Sequence, residues 1–336
     1  MMSDRTIRVG LMGATGAVGA AVVEALERSK RIAWELVPIA SPDTKAHTLE
    51  FRGEDLLVQN PTEEALNACD VVLFACPPDV AAQHADFVIE QGIACLDLSG
   101  ALTERAGPPL LPLVDPAGLE RFREDRVAVL PRPLPAAIAS LLAPVLSAAG
   151  PCAVRGTALL PVSVAGRAGV DELAQEVVSL FNQREPPHQV FPKGLAFDLE
   201  PRMLTGLVDG VSFEERTASV QAALLTGLPE AAVHVTCALV PQFVGLTLSL
   251  HFLGDLKADV AREIWGKAPA VEVLDDDDDR LRPRSVGGIP AVHVGRIRDD
   301  PGGQGVHVWA TTDSIAFGVA ANVVAVLGAL AGADLI

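Results

Sequence analysis

The stretch Ile7-Arg8-Val9-Gly10-Leu11-Met12 runs into Gly13-Ala14-Thr15-Gly16-Ala17-Val18-Gly19 and then into an Ala/Val/Leu-rich segment. It reads as strand, glycine turn and helix. The apolar run is short and broken by glycine, as a buried parallel strand is, and from Ala20 to Leu26 the apolar positions recur at helical spacing. The three glycines have separate jobs. Gly13 permits the sharp turn off the strand, Gly16 lets a pyrophosphate approach the backbone, and Gly19 lets the helix pack closely on the sheet. The free N–H groups and partial positive charge of the helix N-terminus then suit a phosphate. The expectation is a dinucleotide-binding architecture contacted by Gly13, Ala14, Thr15, Gly16, Ala17 and Val18.

Downstream, Trp34 to Ala40 reads as a second strand ending at Ser41-Pro42, and the loop after this strand meets the adenosine ribose in nucleotide-binding sheets. Ser41 therefore joins the expected cofactor contacts. An acidic Asp43 suits a free 2′-hydroxyl and repels a 2′-phosphate, and Lys45 is the only cation nearby, which favours NAD over NADP. The alternative, that Asp43 only begins a turn after Pro42, stays open.

At 336 residues the chain has room for two domains, each with its own core. About half the residues are apolar and a fifth charged, the balance of a globular protein. A net charge of −17 repels phosphate backbones and anionic lipid, so neither nucleic acid nor membrane is an expected partner. The Asp275 to Asp279 run reads as a solvated loop between strands, and no metal is expected. No basic segment followed by an apolar core opens the chain, and Phe317 to Ala333, interrupted by Asn322 and glycines, reads as a buried helix. Cys69, Cys76, Cys95, Cys152 and Cys237 lack paired spacing and read as reduced thiols of a cytoplasmic protein.

Strands at Asp70 to Ala75, Ile93 to Leu98 and Val127 to Leu130 alternate with helices at Val80 to Gln91 and Ala136 to Leu146. That alternation specifies a Rossmann-like, doubly wound parallel sheet. Cys76 stands at a strand's carboxyl end, but with no histidine near it in sequence it reads as an apolar filler. Pro131, Pro133 and Pro135 remove N–H donors from a strand-to-helix junction, the wrong equipment for an oxyanion site. From Ala153 longer strands and acidic helices mark a second domain. The expected strands are Arg155 to Val162, Ala232 to Val240, Gly245 to Leu253, Ala291 to Ile297 and Val306 to Thr311. The expected helices are Gly169 to Asn182, Glu214 to Leu225, Leu256 to Gly266 and Ser314 to Leu330, the last returning to the first domain.

In order along nearly the whole chain, a set of blocks resembles the aspartate-β-semialdehyde dehydrogenase family. They are Gly13 to Gly19, Ala40-Ser41, Asp70-Val71-Val72-Leu73-Phe74, Asp97-Leu98-Ser99-Gly100-Ala101, Pro112-Leu113-Val114-Asp115-Pro116, Ala196-Phe197-Asp198, Val240-Pro241 with Phe243-Val244-Gly245, Val294-Gly295-Arg296-Ile297-Arg298, and Asp313 through Ala320-Ala321-Asn322. The resemblance implies a nicotinamide-binding domain over 1–132 plus 314–336, an α+β dimerisation and substrate domain with a mixed sheet over 133–313, and a homodimer. It also implies acyl-enzyme chemistry on cysteine, interconverting aspartyl phosphate and the semialdehyde with NADP and phosphate.

The same resemblance places the chemical groups, and here the chain departs from it. Counting back from Leu142-Ala143-Pro144-Val145, the family's Asn-Pro-Asn-Cys turn falls on Leu130-Pro131-Arg132-Pro133, so Pro133 stands where the nucleophile would. A hydride acceptor bound through sulfur needs a thiolate, which proline cannot supply. In Leu239-Val240-Pro241-Gln242-Phe243-Val244-Gly245-Leu246, Leu246 takes the place of the general-base histidine and Leu239 that of the substrate-carboxylate arginine. Leu160 replaces the orienting glutamine before Val162-Ser163 and Gly166, and Thr103 and Thr217 replace a phosphate-binding arginine and a lysine. Three leucines in place of polar groups predict a greasy pocket. Cys237, sharing a strand face with Leu239, and Cys152 are the remaining candidate nucleophiles. The expected protein is a catalytically silent homologue of the Usg type. The alternatives are an oxidoreductase acting by direct hydride transfer on a less charged carbonyl, with His234, His251 or Ser163 as acid, and a regulatory partner of another dehydrogenase-family chain. Arg296 and Arg298 fall near the dimer interface or substrate site by resemblance, or serve in surface ion pairs.

Overall fold

Val9, Leu11 and Met12 are fully or almost fully buried on the opening strand, β1 (Ile7–Met12), which explains its unbroken apolar reading. The computed structural model describes residues 6–29, 33–42, 44 and 47–336, and Asp43 and Lys45 lie outside them. After β1 come α1 (Ala17–Arg28), β2 (Trp34–Ile39), the hairpin β3 (Thr48–Phe51) and β4 (Glu54–Leu57), α2 (Glu63–Asn67), β5 (Val71–Phe74), α3 (Pro78–Glu90), β6 (Ala94–Asp97), α4 (Thr103–Ala106), α5 (Gly118–Asp125) and β7 (Val127–Val129). The sheet order is β2-β1-β5-β6-β7, parallel throughout. Successive connections leave β1 in opposite directions, so the turn after β1 lies at the topological switch point. Both faces are covered. Val22 and Leu26 of α1 cluster with Val9, Leu11 and Leu73, and Ala81, Ala85 and Val88 of α3 cluster with Val72 and Phe74.

The second unit spans Pro133–Gly318. It contains α6 (Pro133–Ala149), β8 (Ala153–Leu160), α7 (Gly166–Phe181), β9 (Leu207–Val208), β10 (Val211–Ser212), α8 (Phe213–Thr226), β11 (Val233–Leu239), β12 (Leu246–Leu253), α9 (Ala258–Lys267), β13 (Val271–Val273), β14 (Val292–Asp299) and β15 (Val306–Thr312). Six strands form one mixed sheet, ordered β11-β8-β12-β15-β14-β13. The outer pairs β11/β8 and β13/β14 are parallel and the inner pairs antiparallel. Residues of α6, α8 and α9 fill one face together with Val154, Val235, Leu250 and Val308. Trp265, fully buried on α9, donates its indole N–H to the Leu141 carbonyl at 2.9 Å and so ties α9 to α6. After a π-helical turn over Ala316–Ala321, α10 (Asn322–Gly332) places Val323, Val326, Leu327 and Leu330 in the core of the first unit, to which Val319–Ile336 belongs.

Several expected boundaries move. The helix expected over Ser314 to Leu330 is a π turn followed by an α-helix, because the Asp313 carboxylate caps Ile315 and Ala316 while Gly318 passes so close to Pro133 that a Cβ would lie 2.6 Å from its Cα. The helix expected from Ala136 begins at Pro133, since proline is well suited to a first turn whose N–H groups have no partner. The Asp275 to Asp279 run is a loop, but Asp276 accepts the Arg296 N–H at 2.6 Å and Asp278 is held by Arg280. Arg296 lies over the Trp309 ring, 5.9 Å from its centroid.

Candidate functional site

In the first unit the site is the turn between β1 and α1. Gly13 has φ +87°, and a Cβ there would meet the Ala75 carbonyl oxygen at 2.3 Å. A Cβ on Gly19 would lie 2.2 Å from the Gly13 carbonyl oxygen. Only glycine fits either position. Gly16 is looser, with its nearest such contact at 3.3 Å, and it caps α1 without a side-chain hydrogen bond. The Gly13 and Gly16 N–H groups are engaged by the Ile39 and Gly13 carbonyls, whereas Thr15, Gly16 and Ala17 face solvent. No side chain caps the start of α1, and a helix N-terminus left so has N–H groups free for an anion. Ser41 is exposed at the end of β2 and its carbonyl accepts the Thr44 N–H at 2.9 Å, while the Thr15 and Thr44 hydroxyls lie 3.4 Å apart.

A residue whose job the sequence reading missed stands at the end of β6. Asp97 is wholly buried, and its carboxylate accepts the Ser99 N–H at 2.7 Å, the Ser99 hydroxyl at 2.6 Å, the Gly100 N–H at 3.2 Å and the Leu102 N–H at 2.8 Å. Such a carboxylate dictates the turn at a strand's carboxyl end. Its signal was an Asp followed two and three residues later by Ser and Gly. Thr103, at the start of α4, donates its hydroxyl to the Gly100 carbonyl at 2.8 Å. On α10, Asn322 donates its amide to the Leu110 carbonyl at 3.3 Å and leaves a buried carbonyl oxygen without a protein partner.

In the second unit Pro133 occupies the first position of α6, and Pro135 the third. Two of the four N–H groups that a helix start ordinarily leaves free therefore do not exist. Leu160, Leu239 and Leu246, expected to make a greasy pocket, are buried residues. All three are at most 5% exposed and belong to the unit's hydrophobic core, with Leu239 paired to Leu160 and Leu246 to Thr312 in sheet register. Burial of these apolar side chains stabilises the sheet on which they sit. Gly245 keeps its glycine because φ is +92° and a Cβ would strike the Pro283 carbonyl at 2.4 Å. Beside it, the Gln242 side-chain oxygen is buried without a protein partner.

All five cysteines are free thiols, and none is poised as a thiolate. Burial pushes Cys69, Cys76 and Cys152 up to about 11. Burial, aided by the Asp97 carboxylate, raises Cys95, and burial with the Glu215 and Glu214 carboxylates raises Cys237. Cys237 shares the buried face of β11 with Leu239, while His234 lies on the opposite, exposed face. Its N–H donates to Glu215 of α8 at 2.8 Å. Ser163 sits in a short 3-10 turn after β8, and Thr217 is half-buried on α8. His251 pairs across strands with His307.

The chain matches two family profiles end to end: residues 8–141 the "Semialdehyde dehydrogenase, NAD binding domain" and residues 142–317 the "Semialdehyde dehydrogenase, dimerisation domain". It is 31% identical to a "USG-1 protein homolog" of Azotobacter vinelandii, covering 95% of this chain and 96% of that protein. It is 27% identical to "Aspartate-semialdehyde dehydrogenase 2" of Vibrio cholerae over 96% of each. Among solved structures, the Vibrio cholerae aspartate semialdehyde dehydrogenase II complexed with ASA superposes with a TM-score of 0.92 at 26% identity, covering 97% of this chain and 98% of that one. The Candida albicans enzyme with NADP, at 19% identity and a TM-score of 0.74, shares the fold. With both domains matched in order and a parallel nucleotide-type sheet joined to a mixed one, the chain belongs to the aspartate-semialdehyde dehydrogenase family.

Proposed function

We propose that this protein is a dehydrogenase homologue that has lost covalent thiol catalysis while keeping a nicotinamide-dinucleotide cradle and a homodimeric dimerisation domain. The observation that carries the reading is Pro133 at the head of α6, the position that resemblance gives to the nucleophile. Proline offers neither a thiolate nor an amide hydrogen, and no other cysteine supplies a depressed thiol. Leu246 and Leu239, standing where proton transfer and carboxylate anchoring belong, are core side chains. The reading therefore rests on three separate positions of the chain, Pro133, Leu239 and Leu246.

A dinucleotide fits the residues present, since Gly13, Gly16 and Gly19 leave backbone room and α1 offers uncapped N–H groups. Gly13, Ala14, Thr15, Gly16, Ala17, Val18 and Ser41 would hold it, and when bound it supplies hydride-transfer capacity. Direct hydride transfer to a less charged carbonyl drew its support from an expected leucine-lined pocket, whereas Leu160, Leu239 and Leu246 are buried core residues, which favours the first reading.

The test is an assay with aspartate semialdehyde, phosphate and NAD or NADP. The expected result is no reduced cofactor above background. Turnover abolished by Cys237→Ser or Cys152→Ser would show that a different thiol has taken over and that the reading is wrong.

A further inference from the structure

We propose that His251, Asp300 and His307 form a binding site for one divalent transition metal of the zinc class, bracing the β14–β15 hairpin against β12. His251 on β12 and His307 on β15 face each other directly in the antiparallel register. Their rings stack with centroids 4.1 Å apart and planes 19° apart. Asp300, from the loop that follows β14, brings one carboxylate oxygen to 3.0 Å from Nε2 of His307 and 4.0 Å from Nε2 of His251. The Gln304 carbonyl lies 3.0 Å from Nε2 of His251. Two imidazole nitrogens, a carboxylate oxygen and a carbonyl oxygen thus converge on one small volume, and one ligand atom from each of the three side chains lies within 4.8 Å of the others.

Ligands at about 2.0–2.1 Å from a tetrahedral ion stand roughly 3.3 Å from one another. The 3.0 Å contacts lie near that spacing, while the 4.0 Å between Asp300 and Nε2 of His251 shortens, with a turn of the stacked rings, when the ion binds. The donor set of two imidazoles and a carboxylate suits zinc and its first-row neighbours better than magnesium or calcium, which take oxygen ligands. The carboxylate is already oriented, since its second oxygen accepts the Gln304 N–H at 3.2 Å, the kind of outer support that fixes metal ligands. All three side chains are only partly exposed, at 20%, 17% and 31%, so a ligand set is assembled without waiting on mobile surface groups. Arg155, opposite His251 on β8, turns its guanidinium onto the carbonyls of Val154, Ala231 and Ala232. The chain's net charge of −17 favours cation capture. His251 lies five residues along β12 from Leu246, roughly 17 Å at strand rise, so the cluster is separate from the positions of the family's chemistry.

The test uses the full-length, tag-free protein, stripped with a chelator and titrated with zinc chloride by calorimetry, with thermal unfolding as a second readout. The expected result is one equivalent bound and a raised Tm. Affinity should fall at least about tenfold in His251→Asn and in His307→Asn, since even loss of an outer-shell partner costs about 10–100-fold. His234→Asn, an exposed histidine on β11, should bind as the wild type does. Absence of saturable uptake and of a Tm shift in the wild type, or uptake unchanged in both His251→Asn and His307→Asn, would overturn the proposal. Because the wild-type measurement stands alone, misfolding of a variant cannot rescue it.

Discussion

Gly13 and Gly19 are fixed by backbone contact, Gly16 by openness. A methyl group at Gly13 or Gly19 would enter a carbonyl's space at 2.3 or 2.2 Å, while at Gly16 the nearest atom is 3.3 Å away. Gly13→Ala and Gly19→Ala should each lower stability by about 1–3 kcal/mol in urea denaturation, with Gly16→Ala nearer neutral. Dinucleotide affinity should respond in the other order of subtlety, Gly16→Ala weakening binding without unfolding the domain. The thiols carry a pH prediction. Cys76 and Cys152 have folded values of about 11 against an ordinary 9.0, so the neutral form is favoured in the native state. Their contribution to stability is complete below pH 9 and is lost as pH rises through about 11, which denaturation midpoints across that window would register. Native thiol alkylation should be slow at neutral pH, and fast labelling of Cys237 would contradict its burial.

Among the elements, α8 shows how much a local pattern predicts. Ser212 and Glu215 form a reciprocal capping box at its start, and Glu215 also accepts the Cys237 N–H from β11. Ser212→Ala should cost about 1 kcal/mol, and Glu215→Ala more, because it strands the strand's amide as well as the cap; thermal melts of the two variants measure the difference. The alternating strands and helices of the first unit were legible because each buried strand is an apolar run and each turn carries Gly, Pro or Ser, as at Gly13 and Ser41. The short hairpin Thr48–Phe51 and Glu54–Leu57 was not, since its residues are mostly exposed and carry no alternation. The π turn over Ala316–Ala321 was invisible for another reason: its cause, the approach of Gly318 to Pro133, joins residues far apart in sequence. The three leucines were found at their positions in sequence, but whether they lined a pocket or joined a core depended on strand register, which composition does not encode.

For the molecule as a whole, the two family matches carry expectations that no single residue does. A dimerisation domain over 142–317 supports a homodimer, so sedimentation should give twice the 35.1 kDa chain mass, and a monomer at micromolar concentration would count against the proposal. The resemblance also allows pairing with an active dehydrogenase chain, which co-purification of mixed dimers would detect. The central claim is that the family scaffold persists here without a sulfur nucleophile. Intact-mass spectrometry after incubation with aspartate semialdehyde and dinucleotide, quenched in acid and without added phosphate, reads the covalent intermediate itself. An unmodified chain is expected; an acyl adduct, mapped to a peptide holding any of the five cysteines, would contradict the loss of a sulfur nucleophile.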